Sequence, residues 1–199
     1  METRRRAGVP KAQRREEGRG RILEAARILF EAGGAEALSI RAIAARAGMP
    51  AMTLYSYFPS KTAIVRALWS QAFAPLFAEM EAAEASESDP AARLRKVAQV
   101  LVDYWLRFPD RYRIVFLIED RRERADDRWF IEETDVVPAY LRFGPLIAAA
   151  RGDPGGDHAR EGEALICALT GVVHMLVTVS EYSWARSETY VEVIVRAFC

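Results

Sequence analysis

Apolar residues recur along this chain at helical spacing. From Gly20 onward, Ile22, Ala26, Leu29, Phe30 and Gly33 share one helix face. Gly33-Gly34 then stops the helix, as glycine past a last turn does. Ser39 is a good N-cap for a second short helix, marked by Ile40, Ile43, Ala44 and Ala47 and ended by Gly48. Pro50 stands where a third helix begins, with Leu54 and Phe58 as its buried edge. Pro59-Ser60-Lys61 interrupts the pattern, and Ser60 caps a long amphipathic stretch through Val65, Leu68, Trp69, Ala72, Phe73, Leu76, Phe77 and Met80. Pro75 should bend that stretch.

Beyond an acidic Ser/Glu/Asp loop at 84–90, the pattern predicts helices near 91–107, 109–122, 127–150, 158–183 and 187–198. No useful β-alternation and no repeat interrupts them, so the predicted fold is all-α. Residues 1–19 lack apolar periodicity and are rich in Arg, Glu and Gly, which reads as a flexible basic arm. The expected organisation is that arm, a three-helix head at 20–66 and a helical body at 67–199.

Composition changes this picture in two ways. The chain has 199 residues, 51% of them hydrophobic, ample for a core. Its net charge of zero hides an asymmetry: residues 1–61 carry 12 Lys/Arg against 6 Asp/Glu, and residues 62–199 carry 16 against 22. A basic module that meets an anion, carried on an acidic body, fits that division. Cys167, Cys199, His158 and His174 form no metal-ligand or nucleophile–base spacing, and no glycine-rich phosphate loop is present. The expectation is therefore no metal, no cofactor and no enzyme. The longest nearly apolar run, Ala164 to Val179, holds Thr170, His174 and Thr178 and is too short and too polar for a membrane span. No signal peptide opens the chain. These features point to a soluble cytoplasmic protein with no membrane partner.

Three short helices with a glycine turn between the second and third match the helix-turn-helix plan, whose last helix enters the major groove. The run Leu38-Ser39-Ile40-Arg41-Ala42-Ile43-Ala44 through Gly48, with Thr53-Leu54-Tyr55-Ser56-Tyr57-Phe58-Pro59-Ser60-Lys61, resembles the TetR family DNA-binding domain. The likeness spans roughly residues 20–80, with the motif at about 39–58. It implies double-stranded operator DNA as partner, a homodimer and a repressor of transcription. Residue types agree. Ser39 can hold a phosphate at a helix start. Arg41 can reach a guanine edge or a phosphate. Pro50, Ala51, Met52 and Thr53 open the recognition helix, Tyr55 and Tyr57 offer hydroxyls to the DNA backbone, and Lys61 adds a cation at a further helix start. Tyr55 is alternatively half-buried packing. Met52 departs from the family, which usually has a glycine or small residue there, so readout beside it would be apolar, against thymine methyls.

The body resembles the family in outline only, and the resemblance implies an effector pocket and a dimer interface. Pocket candidates are Trp105, Phe108, Tyr112, Phe116, Trp129, Tyr140, Phe143 and His174, with Phe130 beside them. Ordinary core packing is the competing reading for each. The stretch Ala164 to Ser180 is apolar nearly all round, so a partner subunit should cover one side of it, pairing the last two helices. The effector, on this reading, is small and mostly apolar. A helical ligand carrier or enzyme with an incidental basic head is the alternative function. A nonspecific DNA binder is disfavoured by the acidic body.

Overall fold

The computed structural model describes residues 10–118 and 136–199, and every regular element among them is helical. The helices are α1 (Lys11–Gly33), α2 (Ile40–Arg46), α3 (Ala51–Tyr55), α4 (Lys61–Ala85), α5 (Pro90–Arg107), α6 (Pro109–Phe116), α7 (Val136–Leu141), α8 (Phe143–Ala150), α9 (Ala159–Thr178) and α10 (Ser187–Arg196), with a 3-10 turn at Ala35–Ala37. The chain divides into two units at Leu68/Trp69, inside α4.

In the first unit α1 packs on α2, and α2 on α3. Ile22, Ala26, Ile43 and Leu54 are wholly or almost wholly buried between them. Local chemistry sets the boundaries. Ser39 Oγ accepts a hydrogen bond from the Ala42 N–H at 3.1 Å, starting α2. Gly48 has φ +67°, a left-handed turn that side chains resist, and it redirects the chain from α2 into α3. Ser60 Oγ accepts from the Ala63 N–H at 3.1 Å, starting α4.

Residues 11–19 are not a flexible arm but the opening turns of α1. Contacts distant in sequence hold the end of this stretch. Arg19 Nη1 donates to the Tyr57 carbonyl at 3.1 Å, its guanidinium lies 4.2 Å from the centre of the Phe58 ring, and Gly18 is buried beside Tyr57. Residues 1–9 lie outside the described residues.

In the second unit α5 is central, packed against α6, α8, α9 and α10. Asp89 caps it, accepting from the Ala92 N–H at 2.7 Å, with Pro90 in the first turn where no donor is needed. Leu94, Val97, Ala98, Leu101, Val102 and Trp105 are fully buried along its inner face. Truncating one such residue, Leu101→Ala for instance, would cost about 2–5 kcal/mol.

The predicted helices of the body differ from the observed ones in three places. The helix expected over 109–122 ends at Phe116. The single helix expected over 127–150 is broken at Arg142 into α7 and α8, its residues 127–135 lying outside the described residues. Pro145 sits in the first turn of α8, where its missing N–H leaves no bond unmade. α9 stops at Thr178 rather than 183, because the Trp184 indole N–H folds back to donate to the Val179 carbonyl at 2.7 Å. α9 is 20 residues long and contains an 18-residue stretch of mean hydropathy 1.3, enough to cross a membrane by length and composition alone. Leu165, Leu169, Val173 and Val177, four residues apart, bury one face of it in the unit's core.

Candidate nucleic-acid interface and ring cluster

The head separates its core from its chemistry within single turns. On α3, Leu54 is wholly buried while Met52 is 79% exposed and Tyr55 48% exposed. Thr53 is exposed, Ala51 half-buried, and Pro50 exposed at the helix entry. Ser39 and Arg41 are exposed at the start of α2, and Lys61 at the start of α4. Ser39 Oγ accepts from the backbone, which leaves its O–H free to donate outward. Ser56, beside Tyr55, spends its hydroxyl on the Thr53 carbonyl at 2.6 Å.

Tyr57 is half-buried and set against α1. A Cβ on Gly18 would lie 2.6 Å from its Oη, so that glycine is what admits the ring. The recognition surface thus leans on a part of α1 that composition alone does not mark as ordered. Arg14, Arg15 and Arg21 are also exposed on α1.

In the second unit some pocket candidates come together and others do not. Trp105 packs edge-on against Phe73, Tyr112 and Phe116, with ring centroids 5.5, 6.0 and 5.4 Å away. Tyr112 and Phe116 stack at 4.7 Å. Tyr140 closes the group against Phe73 and Phe77, at 6.0 and 6.1 Å. Phe73 and Phe77, on α4, were legible as helix core but not as part of this cluster. Phe108 lies apart, half-buried, with the Arg107 and Arg111 guanidinium groups 4.9 and 4.3 Å from its ring centre. Phe143 is buried where α8 crosses Gly162 of α9. His174 is on the exposed side of α9, yet its Nδ1 is hydrogen-bonded to Tyr112 Oη at 3.1 Å. Trp129 and Phe130 lie outside the described residues.

The cluster holds two buried donors, Trp105 Nε1–H and Tyr140 Oη–H, with no hydrogen-bond partner among the described residues. Each such group costs about 1–3 kcal/mol in lost hydration. Burial also raises the phenol pKa of Tyr140, and that of Tyr112 to about 12, so both stay protonated. The group can therefore donate hydrogen bonds into an apolar surround but offers no charge.

Comparison with known proteins agrees with this geometry. Residues 22–68 match the family described as bacterial regulatory proteins, tetR family. The chain is 34% identical over 144 residues to the HTH-type transcriptional repressor KstR of Mycobacterium tuberculosis, covering 71% of this chain and 62% of that protein. It thus spans about three fifths of the length of that curated relative. In fold it is similar to a TetR-like transcriptional regulator from Rhodococcus sp. RHA1, with a TM-score of 0.66, 19% identity and 96% of each chain covered. It is likewise similar to FadR from Bacillus subtilis, solved in complex with stearoyl-CoA, with a TM-score of 0.69, 18% identity, and 90% of this chain and 96% of that one covered. With its helix-turn-helix matched from Ile22 to Leu68, the chain belongs to the tetR family of bacterial regulatory proteins.

Proposed function

We propose that this protein is a transcriptional repressor that binds a palindromic operator as a homodimer and leaves it when a small, mostly apolar effector occupies the ring cluster. The observation that carries the reading is α3, whose Met52, Thr53 and Tyr55 stand in solvent while Leu54 anchors the helix. Pro50, Ala51, Met52 and Thr53 meet base edges, and Met52 reads thymine methyls by contact. Ser39, Tyr55, Tyr57 and Lys61 hold phosphates. Arg41 reads a guanine or anchors to the backbone.

The effector enters the cluster of Trp105, Tyr112, Phe116 and Tyr140. An apolar frame carrying an acceptor oxygen suits two buried donors. FadR of Bacillus subtilis, a neighbour in fold, takes stearoyl-CoA. α4 carries Lys61 of the head at one end and Phe73 and Phe77 of the cluster further along, so one helix joins readout to sensing. A ligand that favours one setting of α4 by about 1–3 kcal/mol changes DNA affinity 5- to 150-fold.

The dimer forms on α9 and α10. Met175, Val179 and Val193 are 42%, 43% and 65% exposed there, beside an apolar groove of about 250 Å³ lined by Gly171, Val172, Met175, Leu176, Trp184 and Tyr190.

Selection of random duplexes by the purified protein, followed by gel shift against competitor DNA, tests the reading. A palindromic consensus bound well above competitor is expected. Recovery of no consensus would overturn it.

A further inference from the structure

We infer that the opening turns of α1 form a second DNA-contact surface, a ridge of cations that lies on phosphates outside the major-groove half-sites. This rests on the head being a DNA binder and extends its footprint. Because residues 11–19 are helical, their side chains leave the axis in fixed directions. At about 100° per residue, and measuring from Gly18, Lys11 lies roughly 20° to one side and Arg14 roughly 40° to the other. Arg15 and Arg21 flank them at roughly 60° on either side. Glu16 and Glu17 fall about 100° or more away, and Gln13, also on that side, donates to Glu17 at 3.2 Å. Cations and acids are thus sorted onto different faces.

Gly18 fixes which way the cationic face looks. It is the residue buried beside Tyr57, so the face it shares with Lys11, Arg14 and Arg15 is the one turned toward the end of α3. Arg19 ties the two helices at that point through the Tyr57 carbonyl. The ridge then runs on past this junction. Lys11 is about 10 Å beyond Gly18 at 1.5 Å per residue, roughly three base pairs of duplex at 3.4 Å each.

These side chains are also unneutralised. Lys11, Arg14, Arg15 and Arg21 are exposed and form no ion pair among the described residues. Arg27, further along the same helix, is shared by Glu24 and Glu31. A paired cation has little field left for a partner, whereas a row of free ones on a rigid rod attracts a polyanion. The face carries no large apolar side chain for insertion into a lipid surface. It continues the surface that holds Tyr57, and duplex DNA is the polyanion already expected there.

The test uses the full chain and its selected operator in two lengths, one ending at the outer edge of each half-site and one extended by several base pairs. Affinity is measured by fluorescence anisotropy across a salt series for wild type and for the triple variant Lys11→Ala, Arg14→Ala, Arg15→Ala. Alanine favours helix, so α1 should persist, and circular dichroism checks it. On the long duplex the variant should lower the slope of log affinity against log salt by ~0.9 for each phosphate no longer neutralised, about 2.7 per head. On the short duplex the two proteins should match. A variant with Arg14→Lys and Arg15→Lys should keep the wild-type slope. Equal slopes on the long duplex, or the same drop on both lengths, would overturn the ridge while leaving the repressor reading intact. Recovery of no operator at all would overturn both.

Discussion

Tyr140→Phe should make the protein more stable and its regulation worse. The substitution removes one oxygen and leaves the ring in place against Phe73 and Phe77. In the folded protein that oxygen is buried with no hydrogen-bond partner among the described residues, while in the unfolded chain water satisfies it. Folding therefore carries the full desolvation penalty of a hydroxyl, about 1–3 kcal/mol, which phenylalanine avoids. The gain should raise the thermal midpoint by ~2–4 °C for each kcal/mol. Scanning calorimetry of the two proteins without ligand measures it, and urea unfolding at matched m-value checks that the unfolded state is unchanged. An effector whose oxygen accepts from Tyr140 should bind the variant about tenfold more weakly, matching one hydrogen bond of ~1–1.5 kcal/mol. A lower midpoint for the variant would refute the premise, since it would mean that the hydroxyl is satisfied in solution.

Ser39→Ala should cost about 1 kcal/mol through removal of an N-cap and weaken DNA binding. Ser39→Asp should restore stability but not binding, because a carboxylate caps a helix and repels a phosphate; recovery of binding in thermal-shift and gel-shift assays would remove Ser39 from the interface. Gly18→Ala should leave the thermal midpoint nearly unchanged, helix propensity offsetting the clash, yet displace the end of Tyr57 and reduce operator affinity severalfold. Unchanged affinity would show that Tyr57 does not touch the backbone. His158 lies between Glu161 and Asp153, and its pKa is raised above 6.5, chiefly by the Glu161 hydrogen bond. A raised folded pKa gives stability that is complete below the unfolded value and is lost as pH rises through the folded one. The midpoint gap between wild type and His158→Gln should therefore be widest below pH 6.5 and close at higher pH; a gap that widens with pH would contradict the arrangement.

The helices of the head were legible because their signals are local. Ser39, Gly48 and Ser60 act within three residues of themselves, and those caps and turns are found where the sequence puts them. The start of α1 was not legible, because Gly18 and Gly20 among charges look like a flexible segment. What orders it is Arg19 reaching Tyr57 and Phe58, residues about forty positions away. The end of α9 was hidden too, because the Val179 carbonyl just past it accepts from an indole that folds back from the following loop. Among the rings, type was readable and direction was not. Trp105, Tyr112, Phe116 and Tyr140 converge, yet Phe108 turns to two arginines, and Phe73 and Phe77 join from α4. Where a ring goes depends on the rotation of its helix against its neighbours, which periodicity leaves open.

The boundary between the two units falls at Leu68/Trp69, with no loop to mark it. A break there would leave the first unit only the opening two turns of α4, shorter than the ~12–15 residues at which an isolated helix becomes even marginally stable in water. Ile64, Val65 and Leu68, all buried, sit in those two turns. Such a protein is poorly suited to being shuffled as interchangeable cassettes: a recombination at that boundary would have to join two helices in phase, because each residue inserted or deleted turns the apolar stripe of α4 by about 100°. Insertions or deletions of three, four or seven residues come nearest to keeping that phase, and second units grafted onto this head should be tolerated at those offsets and fail at others.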